Sequence, residues 1–213
     1  MILYLHYNRN ELSNSYLVAQ EGGHQCLLVN LGSIDTPLLE TIENNNLVPV
    51  AVLVTSNEAF HVRAIETFMK IYDPVIYASD HEIAGLQTEV PSRTFEIAGC
   101  QVEALHVPAH RSDAFVYRIG NMIFPGDAIG AGTLPDAANG YAHAVLLEEL
   151  EREVLSAFPP DDLVLPSFGP PSRVEAELLA NPYFTSRSID FRITEREPSL
   201  SPATGMGSAM WRL

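Results

Sequence analysis

Ala51-Val-Leu-Val-Thr-Ser-Asn-Glu-Ala-Phe-His61 is a short apolar run that ends abruptly in polar residues. Val50 to Val54 is too short for a helix, and its valines, bounded by Thr55, predict a buried strand. Thr55, Ser56 and Asn57 suit the cap of a helix running from about Ala59 to Ile71. Glu58 and His61, three residues apart, then stand on neighbouring positions of the first helical turn and converge on one point. A carboxylate and an imidazole at the lip of a sheet are donors that a divalent metal takes.

Working outward, the chain opens with strands at Ile2 to Tyr7, Ser15 to Gln20 and Gln25 to Asn30, the last two joined by the turn Glu21-Gly-Gly-His24. An amphipathic helix is predicted at Thr36 to Asn44, before the central strand. A short strand at Val75 to Ala78 and a short helix at Asp80 to Leu86 follow, giving an α/β rhythm. Thr94 to Ile97 and Gln101 to Val107 form a hairpin, as do Ala114 to Ile119 and Asn121 to Phe124. Helices are expected at Ala144 to Ala157 and Arg173 to Ala180, and Ser188 to Thr194 alternates as a strand does.

The 213 residues, 46% of them hydrophobic, suffice for one domain with a sizeable core. Twelve basic against 27 acidic residues give a formal charge of −15, which repels phosphate backbones and anionic membranes, so neither nucleic acid nor membrane is an expected partner. Cys26 and Cys100 lack paired spacing and read as reduced, buried thiols. The N-terminus has no basic region followed by a long apolar stretch, and a cytoplasmic location is expected.

The central stretch resembles the signature Thr-His-x-His-x-Asp-His of the metallo-β-lactamase superfamily, with glyoxalase II-like and flavodiiron-like features. On that pattern Ser56 replaces the first His, Glu58 the second and Phe60 the Asp, while His61 is kept. Further landmarks follow in the family's order. Leu28-Val-Asn-Leu-Gly32 has Asn30 where the family has an Asp that supports the metal loop from behind; read from the residues alone, Asn30 is a strand-end residue making an Asx turn. Val107-Pro-Ala-His-Arg-Ser-Asp-Ala-Phe115 carries His110 at a ligand position, with Arg111 and Asp113 bracing its loop. Phe124-Pro-Gly-Asp-Ala-Ile-Gly-Ala-Gly132 resembles the family's Gly-Asp segment, with Asp127 at the bridging carboxylate and Gly126 permitting the tight backbone. In Asp162-Leu-Val-Leu-Pro-Ser-Phe-Gly-Pro-Pro171, Phe168 stands where the family has its last His.

The resemblance implies a four-layered αββα sandwich, an α+β fold, over residues 1–184; it stops there, and residues 185–213 read either as a C-terminal extension of the domain that packs on it or on a second subunit in a homodimer, or as a loose tail. It implies a degenerate dinuclear site: Glu58, His61, His110 and Asp127 remain as metal ligands, Asp127 also as the catalytic residue, and Ser56, Phe60 and Phe168 are eroded positions. Such a set holds at most one divalent metal, Zn, Fe or Mn, or none. Two functions are consistent with it: a mononuclear hydrolase of a small ester, thioester or lactone, and a non-catalytic member that binds a small ligand or a partner. Catalysis is left open. Without metal, His61 and His110 would be partly buried histidines bonded to carboxylate neighbours. A flavodiiron-like reductase fits less well, since no flavodoxin-like domain follows. His6, His24, His81, His106 and His143 lack such context and read as surface or packing residues.

Overall fold

The computed structural model describes residues 1–57, 62–83 and 85–185. Strands β1 (Ile2–Asn8), β2 (Ser13–Ala19), β3 (Gln25–Val29), β4 (Val48–Leu53) and β5 (Val75–Tyr77) form one sheet in that order, antiparallel from β1 to β3 and parallel from β3 to β5. The parallel steps need crossovers, which α1 (Thr36–Asn44) and α2 (Val62–Tyr72) supply. After a two-residue pair, β6 (Glu82–Ile83) and β7 (Leu86–Gln87), a second sheet is built from β8 (Thr94–Ile97), β9 (Cys100–His106), β10 (Phe115–Ile119) and β11 (Met122–Phe124). It is completed by β12 (Leu163–Val164) and β13 (Ser172–Arg173), in the order β13-β12-β11-β10-β9-β8. Helices α3 (Gly140–Leu150), α4 (Val174–Ala180) and α5 (Pro182–Thr185) complete the described chain.

The side-chain period of two along each strand sorts the core into three apolar layers. Leu17, Leu28 and Val52 face Leu38 and Ile42 of α1 and Ile65 and Phe68 of α2. The alternate residues Tyr16, Val18, Leu27, Ala51 and Leu53 meet Val102, Tyr117, Ile119 and Phe124 between the two sheets. On the far side Leu105, Val116, Ile123 and Val164 pack against Leu146, Leu150, Val174 and Phe184. Helix, sheet, sheet, helix is the αββα sandwich expected from the sequence. Each large apolar side chain so buried contributes about 1.5–3 kcal/mol. Cys26 and Cys100 are both free and buried, as expected.

Two local expectations are corrected. Asp80 to Leu86 is not a helix but the β6–β7 pair, because Gly85 sits at φ +86° and Thr88 bonds back to His81 O at 3.0 Å and through its hydroxyl to Asp80 O. A seven-residue segment cannot repay helix nucleation on its own. Helix α3 begins at Gly140 rather than Ala144, since the Asn139 side chain caps Ala142 N at 2.9 Å, and it ends in a π-helical turn over Glu151–Leu155. The Thr55 hydroxyl lies 3.2 Å from Asn30 Oδ1, and the helix start that Thr55, Ser56 and Asn57 are expected to cap lies outside the described residues. The expected strand at Ser188 to Thr194, and nearly all of the 185–213 extension, lie outside the described residues.

Candidate functional site

The polar residues singled out above gather where strands of both sheets end. Ser56 follows β4, His110 lies between β9 and β10, Asp127 follows β11, and Phe168 follows β12. Backbone bonds stitch these loops together: Phe115 N donates to Thr55 O at 2.7 Å, Ser167 N to Gly126 O at 2.8 Å, and Asn14 N to Ser167 O at 2.7 Å. Gly126 is at φ +65°, and a Cβ there would collide with Thr55 Oγ1, so only glycine lets the Asp127 turn approach this closely.

His110 and Asp127 are brought into direct contact, Nε2 to Oδ1 at 2.9 Å, with the His side chain 7% and the Asp side chain 21% exposed. Burial alone would raise the Asp127 pKa, but His110, followed by its own backbone N–H and Arg111, outweighs that and holds it below the usual carboxylate range. The His110 loop is braced on both sides. Arg111 Nε donates to Asp113 Oδ1 at 3.0 Å, Asp113 Oδ2 accepts from Asn57 N at 2.8 Å, and Ala109 N donates to Glu149 of α3 at 2.9 Å. Arg111 and Asp113 therefore act as expected, whereas Glu149 carries no signal in the sequence because its partner lies 40 residues away.

Behind the loop sits a neutral polar network. Asn30, at φ +53°, donates through Nδ2 to Thr55 Oγ1 at 2.9 Å and to Ser167 Oγ at 2.7 Å, and its Oδ1 accepts from Thr55 N at 3.0 Å. Its side chain thus spans three loops instead of closing an Asx turn, which replaces the reading made from the residues alone. Asn14 and Tyr16 hold the segment before Phe168: Asn14 Nδ2 donates to Pro166 O and Gly169 O, and Tyr16 OH to Pro166 O at 2.7 Å. Glu177, buried in α4, accepts from Gly132 N at 3.2 Å and from Asn181 Nδ2 at 2.7 Å, tying the loop after Asp127 to the last helices.

Phe168 is half exposed, and with Asp127, Ile129, Thr133, Leu134 and Pro135 it lines an open pocket of about 280 Å³. It is a wall of that pocket, not the buried floor that its replacement of a ligand suggests. Ser56 Oγ and Asn57 Oδ1 are buried without a hydrogen-bond partner among the described residues. Glu58, Phe60 and His61 lie outside the described residues, and among the described ones no three His, Cys, Asp or Glu side chains cluster as a metal set. Among the described residues, no helix is long and apolar enough to cross a membrane.

No family model matches the chain. It is similar to a hydroxyacylglutathione hydrolase of Edwardsiella ictaluri, 27% identical over 117 residues, 52% of this chain and 46% of the relative. It is also similar to an atrochrysone carboxyl ACP thioesterase of Claviceps purpurea, 29% identical over 175 residues, 78% of this chain and 55% of the relative. The chain spans about half the length of these two curated relatives. Among solved structures, the BLEG-1 B3 metallo-β-lactamase superposes with a TM-score of 0.74 at 16% identity, over 86% of this chain and 100% of that one. TTHA1623, solved in a di-iron-bound form, superposes with a TM-score of 0.63 at 23% identity, over 80% and 94%.

Proposed function

We propose, from the premise that the chain carries the metallo-β-lactamase fold, that it holds at most one divalent metal and acts as a weak hydrolase of a small ester, thioester or lactone. The observation that carries this reading is the contact of His110 and Asp127 at 2.9 Å where strands of both sheets end. An imidazole nitrogen and an ionised carboxylate that meet at one point are two of the three or more donors a metal needs, and Glu58 and His61 are the candidates for the rest. Ser56 Oγ and Asn57 Oδ1, buried without a partner among the described residues, fit this too, because such oxygens are the kind of group that an ion or ordered water completes. Phe168 has no lone pair to offer, so one metal fits this donor set and a second does not. Mixed nitrogen and oxygen donors suit Zn, Fe or Mn.

When bound, such an ion lowers the pKa of a water and polarises a carbonyl oxygen. The chain's own residues do the positioning. Arg111, Asp113 and Glu149 fix the His110 loop, and Asp127, kept ionised, holds His110 Nε2 in the metal-free chain, a contact that would give way if both became ligands. Phe168 and Ile129 give the pocket beside the carboxylate apolar walls, and its volume admits a small substrate. Two relatives named as acyl-glutathione hydrolase and thioesterase make a thioester the first substrate to try. A non-catalytic ligand-binding role is the second reading, favoured by Phe168 as a half-exposed apolar wall at a ligand position.

Elemental analysis of protein purified without added metal or chelator, paired with chelator-sensitive assays on generic thioesters, lactones and phosphodiesters, tests both. No more than one metal per chain and weak or absent hydrolysis are expected. Ser56→His, Phe60→Asp and Phe168→His together should bind two metals and gain activity on one substrate. Two metals per chain in the wild type, or strong chelator-sensitive hydrolysis by it, would overturn the single-metal reading.

A further inference from the structure

A second concavity lies on the other side of the His110 loop. It is an open cleft of about 570 Å³, lined by Ser79 and Asp80 after β5, Val90, Pro91 and Arg93 before β8, Ala104 and His106 of β9, Ser112 and Asp113, and Phe115 at the start of β10. This volume is within the range of small-molecule sites, roughly 300–1,000 Å³.

Its charges are not spent on each other. Asp113 is already paired with Arg111 and bonded by Asn57 N. Arg111, Arg118, Arg152 and Arg173 each bond a carboxylate or carbonyl, whereas the exposed Arg93 side chain has no ion pair or hydrogen bond among the described residues. Among the described residues the Asp80 carboxylate accepts only long bonds, from Ser79 Oγ at 3.3 Å and Asn57 Nδ2 at 3.5 Å, and no cation pairs with it. Its backbone is held in place by the Thr88 hydroxyl. One open guanidinium and one open carboxylate thus face a single cleft in a chain with an excess of acid.

The rest of the lining is apolar or aromatic. Val90 is exposed, and the His106 ring lies against Phe115 with centroids 5.2 Å apart. His106 Nε2 is 2.8 Å from the Ser112 carbonyl oxygen, so that nitrogen carries a hydrogen and the ring is pinned as part of the wall.

We propose that this cleft binds a small zwitterion of about dipeptide size with an apolar or aromatic side chain, its carboxylate on Arg93, its ammonium on Asp80 and its side chain against Val90 and Phe115. The pairing uses the planar guanidinium for the carboxylate and leaves neither cleft charge uncompensated. It needs no metal and no reaction at His110 and Asp127.

The test is an amide NMR titration of the full chain with alanyl-phenylalanine, its N-acetyl derivative and its C-terminal amide. Saturable shifts are expected at Ser79, Asp80, Val90, Arg93, His106 and Phe115 for the free dipeptide, with each blocked derivative at least about tenfold weaker, as loss of one charged hydrogen bond implies. Arg93→Gln should weaken the free dipeptide about tenfold yet leave the amide unaffected, and Asp80→Asn should do the same with the N-acetyl form as its control. Both variants alter exposed side chains, so the fold should be kept. No saturable shift at millimolar dipeptide, or binding indifferent to either variant, overturns the proposal. Either result leaves the hydrolase reading untouched, because that reading is tested by metal content and turnover.

Discussion

At Asn30 a single amide does the work of a crosslink, and the positive φ it tolerates is one that β-branched residues avoid. Asn30→Ala would leave the buried Thr55 N–H without its acceptor and is expected to cost about 1–3 kcal/mol in urea unfolding. Gly126→Ala combines a left-handed backbone with a collision at Thr55 Oγ1, and should cost at least about 1–2 kcal/mol in the same measurement. Asp127 and His110 are legible because each sits in a short local motif with its own turn chemistry. The role of Asn30 is not, since its partners Thr55 and Ser167 stand 25 and 137 residues away and only the folded sheets bring them together. Phe168 is legible as a residue without a lone pair, but its position as a pocket wall depends on the loop that Asn14 and Tyr16 hold.

Among elements, the loop from 107 to 114 is braced from β4's end and from α3, and its stability should depend on pH. Burial pushes the Asp113 pKa up, but Arg111 and the Asn57 N–H outweigh that and hold it below its ordinary value. A folded value below the unfolded one, near 3.9, gives stabilisation that is complete above about pH 4 and is lost as the pH falls through the folded value. Asp113→Asn should therefore lower the urea midpoint at neutral pH, with the gap to wild type closing in acid. Helix α3 offers a second test: Asn139→Ala should cost about 1 kcal/mol by loss of the cap on Ala142 N. The expected start at Ala144 missed this cap because Gly140 and Tyr141 do not continue the apolar period. The error at Asp80 to Leu86 has the opposite origin. An apolar spacing suited a helix there, while Gly85 and the Thr88 bonds decide for a turn between two short strands.

For the whole molecule, the alternation along each strand made the layers legible, because inward and outward residues differ in partner but both are buried. Metal linkage belongs to this scale as well. If the site holds one metal, a chelator should lower the thermal midpoint, and re-addition of the ion should restore it in proportion to the logarithm of its free concentration. Asn14 of β2 donates its backbone N–H to Ser167 and its side chain to Pro166 and Gly169, so a strand of one sheet grips the strand-end loop of the other. In deuterated water, that amide can lose its proton only when the sheets part. Its exchange should run at the slow rate of global unfolding, together with the innermost strand amides, so a faster rate at Asn14 would mean that the two halves open before either melts.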